Sequence, residues 1–386
     1  MPEAFKHNFD HKVIRHLAQQ LSKQAALLGD VFHADKFVKD ACNNLDELEL
    51  KARSNQIAAA LATHLPTDFI RSAKLIDASL APINANNSDE TITFTHESDG
   101  LAGWIIMPVA DYISTVILLH PEQNFDHGIQ LLKRCTCLFS AEFAIRPLLR
   151  DLPSKTLATL LTWQSDENVH IRRLVSEGTR PYLPWGIRLH QFVAEPELII
   201  PFLEALKDDE SEYVRRSVAN NLNDIAKDHP DKVAALAQQW WLPKNKNRTR
   251  LIKHACRTLI KQGHPKVLEM LGYFPVTLAA ISLTLSHKHL AIGESQQMTL
   301  SLKGNNACNQ ALLIDYVVHH QKANKLTSKK VFKWTSITLE KGKGTVVIQK
   351  AHSFKKVTTR KYYPGEHKIE VLINGRSVAM QSFLLT

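Results

Sequence analysis

A chain of 386 residues, 44% hydrophobic and 22% charged, is longer than one ordinary domain and has the composition of a folded protein. It contains no run of about 18 apolar residues, which excludes a conventional membrane-spanning helix, and its first residues lack the apolar stretch of a secretory signal. Five scattered cysteines do not make a disulfide framework, so we expect free thiols and a cytoplasmic protein.

The net charge of +10 is unevenly distributed along the chain. Residues 275–386 contain 16 Lys and Arg against 5 Asp and Glu, whereas the first 274 residues contain 32 against 33. A basic segment of this kind favours a polyanionic partner. The alternative is a solubilising surface, because lysines on sheet edges also oppose aggregation.

The first part of the chain has the periodicity of helices. Apolar residues recur at helical spacing over residues 10–80, beginning with Val13, Leu17 and Leu21. The polar stretch 83–103 interrupts this pattern and predicts a loop, or a short ribbon through 91–95. From Trp104 to about Tyr273, helices resume in pairs that prolines separate.

A duplicated segment lies within the paired helices. The first copy, 166–185, reads DENVHIRRLVSEGTRPYLPW, and the second, 209–224, reads DESEYVRRSVANNLND and begins 43 positions later. Both have an acidic turn followed by a hydrophobic residue and two arginines, and a weaker third copy covers 248–265. Helix pairs repeated at this spacing predict a HEAT-like α-solenoid with one concave wall.

After Phe274 the pattern changes to short alternating runs. Seven such runs lie between 276 and 385, separated by turn signals such as Pro364-Gly365 and Asn374-Gly375. This many strands in about 110 residues is typical of an immunoglobulin-like β-sandwich, although the cysteine pair of that fold is missing. We therefore predict a mainly α protein, with a HEAT-like solenoid over 1–274 and a small all-β immunoglobulin-like sandwich over 275–386.

The repeat copies place charged side chains on one helix face. Arg173, Glu177 and Arg180 fall at i, i+4 and i+7 in the first copy. The residues on the matching face of the second copy are Tyr213, Arg216, Asn220 and Asp224. This predicts a wall of guanidinium groups interrupted by carboxylates; a solvated face with ion pairs is the alternative.

One further segment carries charged residues that could belong to a catalytic site, and the common catalytic and metal-binding motifs are absent. The segment FSAEFAIRP, 139–147, sets Glu142 and Arg146 at i, i+4 on an amphipathic helix. No phosphate-binding loop, HExxH, nucleophile elbow or paired Cys/His spacing occurs, so we expect no metal and no cofactor.

Six segments together resemble the AlkC family of DNA alkylation repair glycosylases. They are SAEFAIRP (140–147), HIRRLVSEGTRPYLPWG (170–186), SEYVRRSVANNLNDIAKDHPD (211–231), DELELKAR (46–53), GLAGWIIMPVADY (100–112) and YYPGEHKIEVLINGR (362–376). The resemblance implies a monofunctional glycosylase that removes small cationic N-alkylated bases, notably 3-methyladenine, from duplex DNA. It also implies that the solenoid holds the duplex, that the β-domain helps to encircle it, and that the base reacts without full flipping.

The resemblance assigns the active site to Glu142, Glu177, Asp224 and Trp185. Cleavage of the N-glycosidic bond builds positive charge on the sugar, which carboxylates stabilise, while one carboxylate orients water. We favour Glu177 for the water, with Asp224 close by, and expect Trp185 to face the cation. We expect the enzyme to act as a monomer. The residues expected to contact DNA are Arg146, Arg172, Arg173, Arg180, Tyr213, Arg215, Arg216, Asn220 and Lys227.

Two other functions fit parts of the sequence. A non-catalytic DNA-binding or scaffold solenoid would keep the wall, but it would not need the carboxylates and the tryptophan together. A HEAT array that grips an acidic peptide would be hindered by Glu142, Glu177 and Asp224, because these carboxylates repel such a ligand.

Overall fold

The computed structural model describes residues 5–83, 100–305, 308–342, 344–358 and 360–386. Its helices begin at the capping residues and prolines that the sequence suggests. Asp10 and Asp68 cap the N-termini of two helices through their side chains, and Pro121, Pro153 and Pro230 begin three more. The predicted loop or ribbon at 91–95 lies outside the described residues.

The α-helices of the described ranges follow one another from His11 to Met270. They are α1 His11–Leu28, α2 Ala34–Ala41, α3 Leu50–His64, α4 Phe69–Ser79, α5 Ile106–Leu119, α6 Pro121–Leu138, α7 Ile145–Asp151, α8 Pro153–Trp163, α9 Val169–Gly178, α10 His190–Ala194, α11 Ile200–Leu206, α12 Glu212–Ile225, α13 Pro230–Trp240, α14 Lys246–Ala255, α15 Arg257–Gln262 and α16 Pro265–Met270. Helices α9, α12 and α14, which carry the three repeat copies, pack successively on one another.

Among the described residues of the C-terminal part, the strands form two sheets whose pairs are antiparallel with one exception. Their strands are β1 Leu278–Leu285, β2 His289–Leu290, β3 Ser295–Gly304, β4 Gln310–Gln321, β5 Thr327–Leu339, β6 Val346–Ser353, β7 Gly365–Ile373 and β8 Arg376–Leu385. One sheet has the order β1-β3-β6 and the other β2-β8-β7-β4-β5, with β2 parallel to β8. Inward side chains such as Leu300, Ile314 and Val371 form a shared core. The predicted mainly α fold followed by an all-β sandwich is confirmed.

The chain divides into two compact units, one of residues up to 228 with 246–255, the other of 229–245 with 256–386. In the second unit the turn after α15 meets the β7–β8 hairpin so closely that a Cβ on Gly263 would lie 2.6 Å from Gly375 Cα. The division into domains at 274/275 stays a prediction.

The sequence predicted free cysteines and no membrane-spanning helix. All five cysteines are free, as predicted, and Cys135, Cys137 and Cys256 are buried. Within the described ranges, no helix combines the length and apolarity that crossing a membrane requires.

Candidate active site

Both full repeat copies begin with the same hydrogen-bonded turn. In the first, the Asp166 carboxylate accepts from Asn168 N at 2.9 Å, and the Asn168 side chain caps α9. In the second, Asp209 accepts from Ser211 N at 2.9 Å, and Ser211 caps α12. The acidic turn of the repeat is therefore an N-cap motif that fixes where both helices start.

The first arginine of each Arg-Arg pair is hydrogen-bonded to this turn. Arg172 donates from Nη1 to the Asp166 carbonyl at 2.9 Å and from Nε to the Asp209 carboxylate at 2.7 Å. Arg215 donates to the Glu210 carbonyl at 2.7 Å. Both side chains are buried. The structure therefore does not support the predicted DNA contacts of Arg172 and Arg215.

Six charged side chains of alternating sign form a continuous series, which we call the ion-pair chain. Its members are Glu142, Arg173, Glu177, Arg180, Asp224 and Lys227. They come from the turn before α7, from α9 and the residues after it, and from α12 and the residues after it. The structure thus brings together the three carboxylates that the sequence singled out.

Arg173 joins the first two carboxylates of the ion-pair chain. Its Nη1 lies 2.6 Å from Glu142 Oε2, and its Nη2 lies 3.7 Å from Glu177 Oε1. Ser140 links the same groups, because its hydroxyl accepts from Arg173 at 3.0 Å and donates to Glu142 at 2.9 Å. Burial opposes the charge of Arg173, but the two carboxylates outweigh it and raise the pKa of the guanidinium.

Arg180 joins the second carboxylate to the third. Its Nη1 donates to Glu177 Oε1 at 2.6 Å, and its Nε donates to Asp224 Oδ2 at 2.8 Å. Lys227 Nζ lies 2.7 Å from Asp224 Oδ1. With 43% of its side chain exposed, Lys227 is the most accessible member of the ion-pair chain.

Glu177 lies at the centre of the ion-pair chain. Ser217 donates to its Oε2 at 2.6 Å, and Ser176 donates to Ser217 at 2.7 Å. Burial alone would raise the pKa of Glu177, but Arg173, Arg180 and the Ser217 bond together hold that pKa below its ordinary value. Glu177 is therefore ionised at neutral pH and suits charge stabilisation rather than proton donation.

Ser217 is a site residue that the sequence analysis missed. It follows the second Arg-Arg pair directly, at the position that Leu174 occupies in the first copy. Leu174 is an apolar side chain that is fully buried, whereas Ser217 donates to the Glu177 carboxylate. A hydroxyl residue at a position that is apolar in the first copy was the signal that could have identified it.

Arg146 shapes the loop that follows α9. Its side chain is fully buried, and Nη1 donates to the carbonyls of Gly178 at 2.8 Å and Arg180 at 2.7 Å, while Nε donates to Ile187 at 2.8 Å. Burial, aided by the neighbouring Arg180, lowers the pKa of Arg146 to about 10, so it stays charged at neutral pH. The structure does not support its predicted contact with DNA; Arg146 instead positions the loop that carries Trp185.

Trp185 projects from that loop with 61% of its surface exposed. Its φ of 63° lies in the left-handed region, which a bulky residue rarely adopts. Lys51 of α3 donates to its carbonyl at 3.3 Å. Trp185 is therefore not a core residue, and its ring is available to a ligand.

The remaining predicted contacts lie on α12. Tyr213 is half-buried, with the guanidinium carbons of Arg173 and Arg216 at 5.1 and 6.0 Å from its ring centroid. Arg216 is exposed, and Asn220 Oδ1 lies 2.9 Å from a ring nitrogen of His254 on α14. The exposed Arg216 and Lys227 are therefore the predicted cations best placed to meet an external anion.

Three comparisons with known proteins bear on this site. A family described as "Uncharacterised protein YhaZ, C-terminal Ig-like domain" matches residues 279–386. The chain is 36% identical over 330 residues to the uncharacterized protein YhaZ of Bacillus subtilis (strain 168), with 85% of each chain covered. It is also similar to Pseudomonas fluorescens alkylpurine DNA glycosylase AlkC bound to DNA containing an abasic site analog, with a TM-score of 0.83, 31% identity and 100% of both chains covered.

Proposed function

The chain belongs to the AlkC family of DNA alkylation repair glycosylases, and on this premise we propose that it hydrolyses the N-glycosidic bond of small cationic N-alkylated bases, notably 3-methyladenine, in duplex DNA. The observation that carries the proposal is the ion-pair chain, which holds Glu142, Glu177 and Asp224 in one series. Trp185, on the loop that begins at Arg180, leaves its ring open to a ligand.

The chemistry of a cationic base suits ionised carboxylates. An alkylated purine leaves as a neutral base, so its departure needs little general-acid catalysis, while positive charge develops on the sugar. Carboxylates already ionised and fixed in place stabilise that charge without reorganisation. Glu177, whose pKa is held low, acts by its charge in this mechanism.

Asp224 and Lys227 supply the step that involves water. Asp224 Oδ1 pairs with Lys227, whose side chain is 43% exposed, whereas Arg180 and Ser217, the hydrogen-bond partners of Glu177, are buried. A DNA phosphate competes with Asp224 for Lys227. When Lys227 pairs with the phosphate instead, Asp224 Oδ1 is free to orient water toward the sugar. We therefore assign the water to Asp224, with Glu177 as its neighbour, rather than to Glu177 itself.

The same surface binds the DNA backbone. Arg216 and Lys227 contact phosphates, which gives salt-dependent affinity without sequence preference. The base reacts close to the stack, and the enzyme acts as a monomer. The non-catalytic scaffold remains the second candidate, because it would keep these cations and bind DNA without using the carboxylates.

The test is release of 3-methyladenine from methylated duplex DNA by wild type, Glu177→Gln and Asp224→Asn. We expect release by wild type and a loss on the order of 100-fold or more in the variants, with affinity for an abasic-analogue duplex retained. Glu122→Gln is the matched control, because it breaks only the exposed pair with Lys155. A wild type that binds the duplex and releases no base would establish the scaffold instead.

A further inference from the structure

Four aromatic rings from four separate segments form a continuous row, which we call the aromatic row. Its members, in order, are Phe139, Trp104, Phe5 and Trp185. Successive ring centroids lie 5.0, 5.9 and 5.7 Å apart. These are the separations of interacting aromatic pairs, with neighbouring rings inclined at 45°, 37° and 65°, so the four rings contact one another in sequence.

Two neighbouring rings of the aromatic row, Phe5 and Trp185, are open to solvent although their backbone is held firmly. Phe5 is 56% exposed, comparable with Trp185. The segment that carries Phe5 is fixed to α3, because the buried Arg53 donates to the carbonyls of Lys6 and Phe9 at 3.3 and 3.0 Å. An exposed aromatic surface on an anchored segment is typical of a binding site.

Both ends of the aromatic row connect to the ion-pair chain. Phe139 directly precedes Ser140, whose hydroxyl contacts Glu142 and Arg173. Trp185 lies on the loop that begins at Arg180 and that Arg146 positions. A ligand on Trp185 therefore contacts a loop whose first residue, Arg180, belongs to the ion-pair chain.

We propose that the aromatic row is the face that receives the cationic alkylated purine, and that Phe5 and Trp104 extend the recognition surface beyond Trp185. The inference rests on the proposed glycosylase function and adds the residues that select the base. A cation over aromatic faces gains electrostatic attraction that a neutral purine lacks. Since the cleaved base is neutral, the same face holds the substrate more strongly than the product.

The experiment compares Phe5→Leu and Trp104→Leu, which keep apolar bulk, with Phe5→Trp and Trp104→Phe, which keep an aromatic face. We expect each leucine variant to slow single-turnover release of 3-methyladenine by about 3- to 30-fold, while the aromatic variants stay within about 3-fold of wild type. Affinity for an abasic-analogue duplex should not change, and the melting temperature of Phe5→Leu should match that of wild type because Phe5 is exposed. Phe274→Leu, at an exposed phenylalanine of the second unit, is the matched control.

A second readout does not depend on catalysis. Titration of intrinsic tryptophan fluorescence with 7-methylguanosine, which is cationic, and with guanosine, which is neutral, reports selection by charge. We expect tighter binding of the cation, with the preference lost in Phe5→Leu. Equal binding of both nucleosides, or leucine variants that release base at the wild-type rate, would overturn the inference while leaving the glycosylase intact. Failure of wild type to release base despite cation selectivity would overturn the glycosylase alone.

Discussion

The guanidinium of Arg146 lies in the interior of the first unit with backbone carbonyls around it. Four residues that bracket or form the loop after α9 accept from this one side chain: Gly178, Arg180, Pro181 and Ile187. A planar five-donor group can satisfy such a set, and neither lysine nor an apolar residue can replace it. The position of Trp185 therefore depends on an arginine that is not exposed.

We predict that Arg146→Ala lowers the free energy of unfolding by about 3–5 kcal/mol, because buried carbonyls lose their donors. Chemical denaturation of the purified protein measures this. Arg150→Ala, which removes only an exposed ion pair with Asp151, should cost less than about 1 kcal/mol. Equal stability of the two variants would show that the loop does not need Arg146.

A helical pattern in a sequence predicts which residues share a helix face better than it predicts what each side chain contacts. The spacing of Arg173, Glu177 and Arg180 predicted that they share a face, and their ion pairs confirm it. The same pattern could not show that Arg172 bonds to the N-cap turns of both copies, because one of its partners is Asp209, 37 residues away. Contacts between repeat copies decide which arginine is exposed, and the period within one helix does not contain them.

The bond from Arg172 to Asp209 links the two repeat helices. We predict that Asp209→Asn lowers the free energy of unfolding by about 2–4 kcal/mol, because the buried Arg172 loses its counter-charge. Glu210→Gln is the matched control: its carboxylate lies 3.4 Å from Arg172 but is 88% exposed, so we expect less than about 0.5 kcal/mol. Urea unfolding followed by far-UV circular dichroism compares the two, and indistinguishable midpoints would contradict the prediction.

Three of the buried histidines of the sandwich lie beside one another, and they are His320 of β4, His352 of β6 and His367 of β7. His320 Nδ1, His352 Nε2 and His367 Nδ1 have no hydrogen-bond partner among the described residues. Burial lowers the pKa of His320 to about 3, with Arg360 adding to the effect, and lowers the pKa of His352 to about 4. Burial also lowers the pKa of His367. The folded core therefore holds these rings neutral.

This cluster predicts acid sensitivity of the sandwich. Since the unfolded rings bind protons near pH 6.5 and the folded rings do not, stability is complete above that pH and falls as the pH drops toward 3–4. We expect the melting temperature to fall by about 5–10 °C between pH 7.5 and pH 5, and by less in His320→Leu. His289→Leu, at an exposed position of β2, should show the wild-type fall. The same fall in both variants would exclude His320 as a source.

At the scale of the whole chain, the change from helical to alternating periodicity after Phe274 located the end of the helices to within a few residues, since α16 ends at Met270 and β1 begins at Leu278. It did not show that α13, α15 and α16 belong to the same compact unit as the strands. That grouping depends on close approaches such as Gly263 to Gly375, more than 100 residues apart. Periodicity carries no information on such contacts.

The basic charge of the sandwich could bind a polyanion or protect a sheet edge from aggregation, and variants of β5 distinguish the two explanations. This strand is an edge of the five-stranded sheet and exposes Lys329, Lys330 and Lys333. If they meet a polyanion, Lys→Gln at all three should weaken duplex DNA binding on the order of 10-fold and reduce the slope of log K against log salt by up to about 3. The matched control removes the same charge from the exposed Lys12, Lys36 and Lys39 of the first unit and should leave both values nearly unchanged. If the lysines instead protect the edge, the β5 variant will bind DNA as wild type does but self-associate in sedimentation velocity, which would contradict a role of β5 in binding DNA.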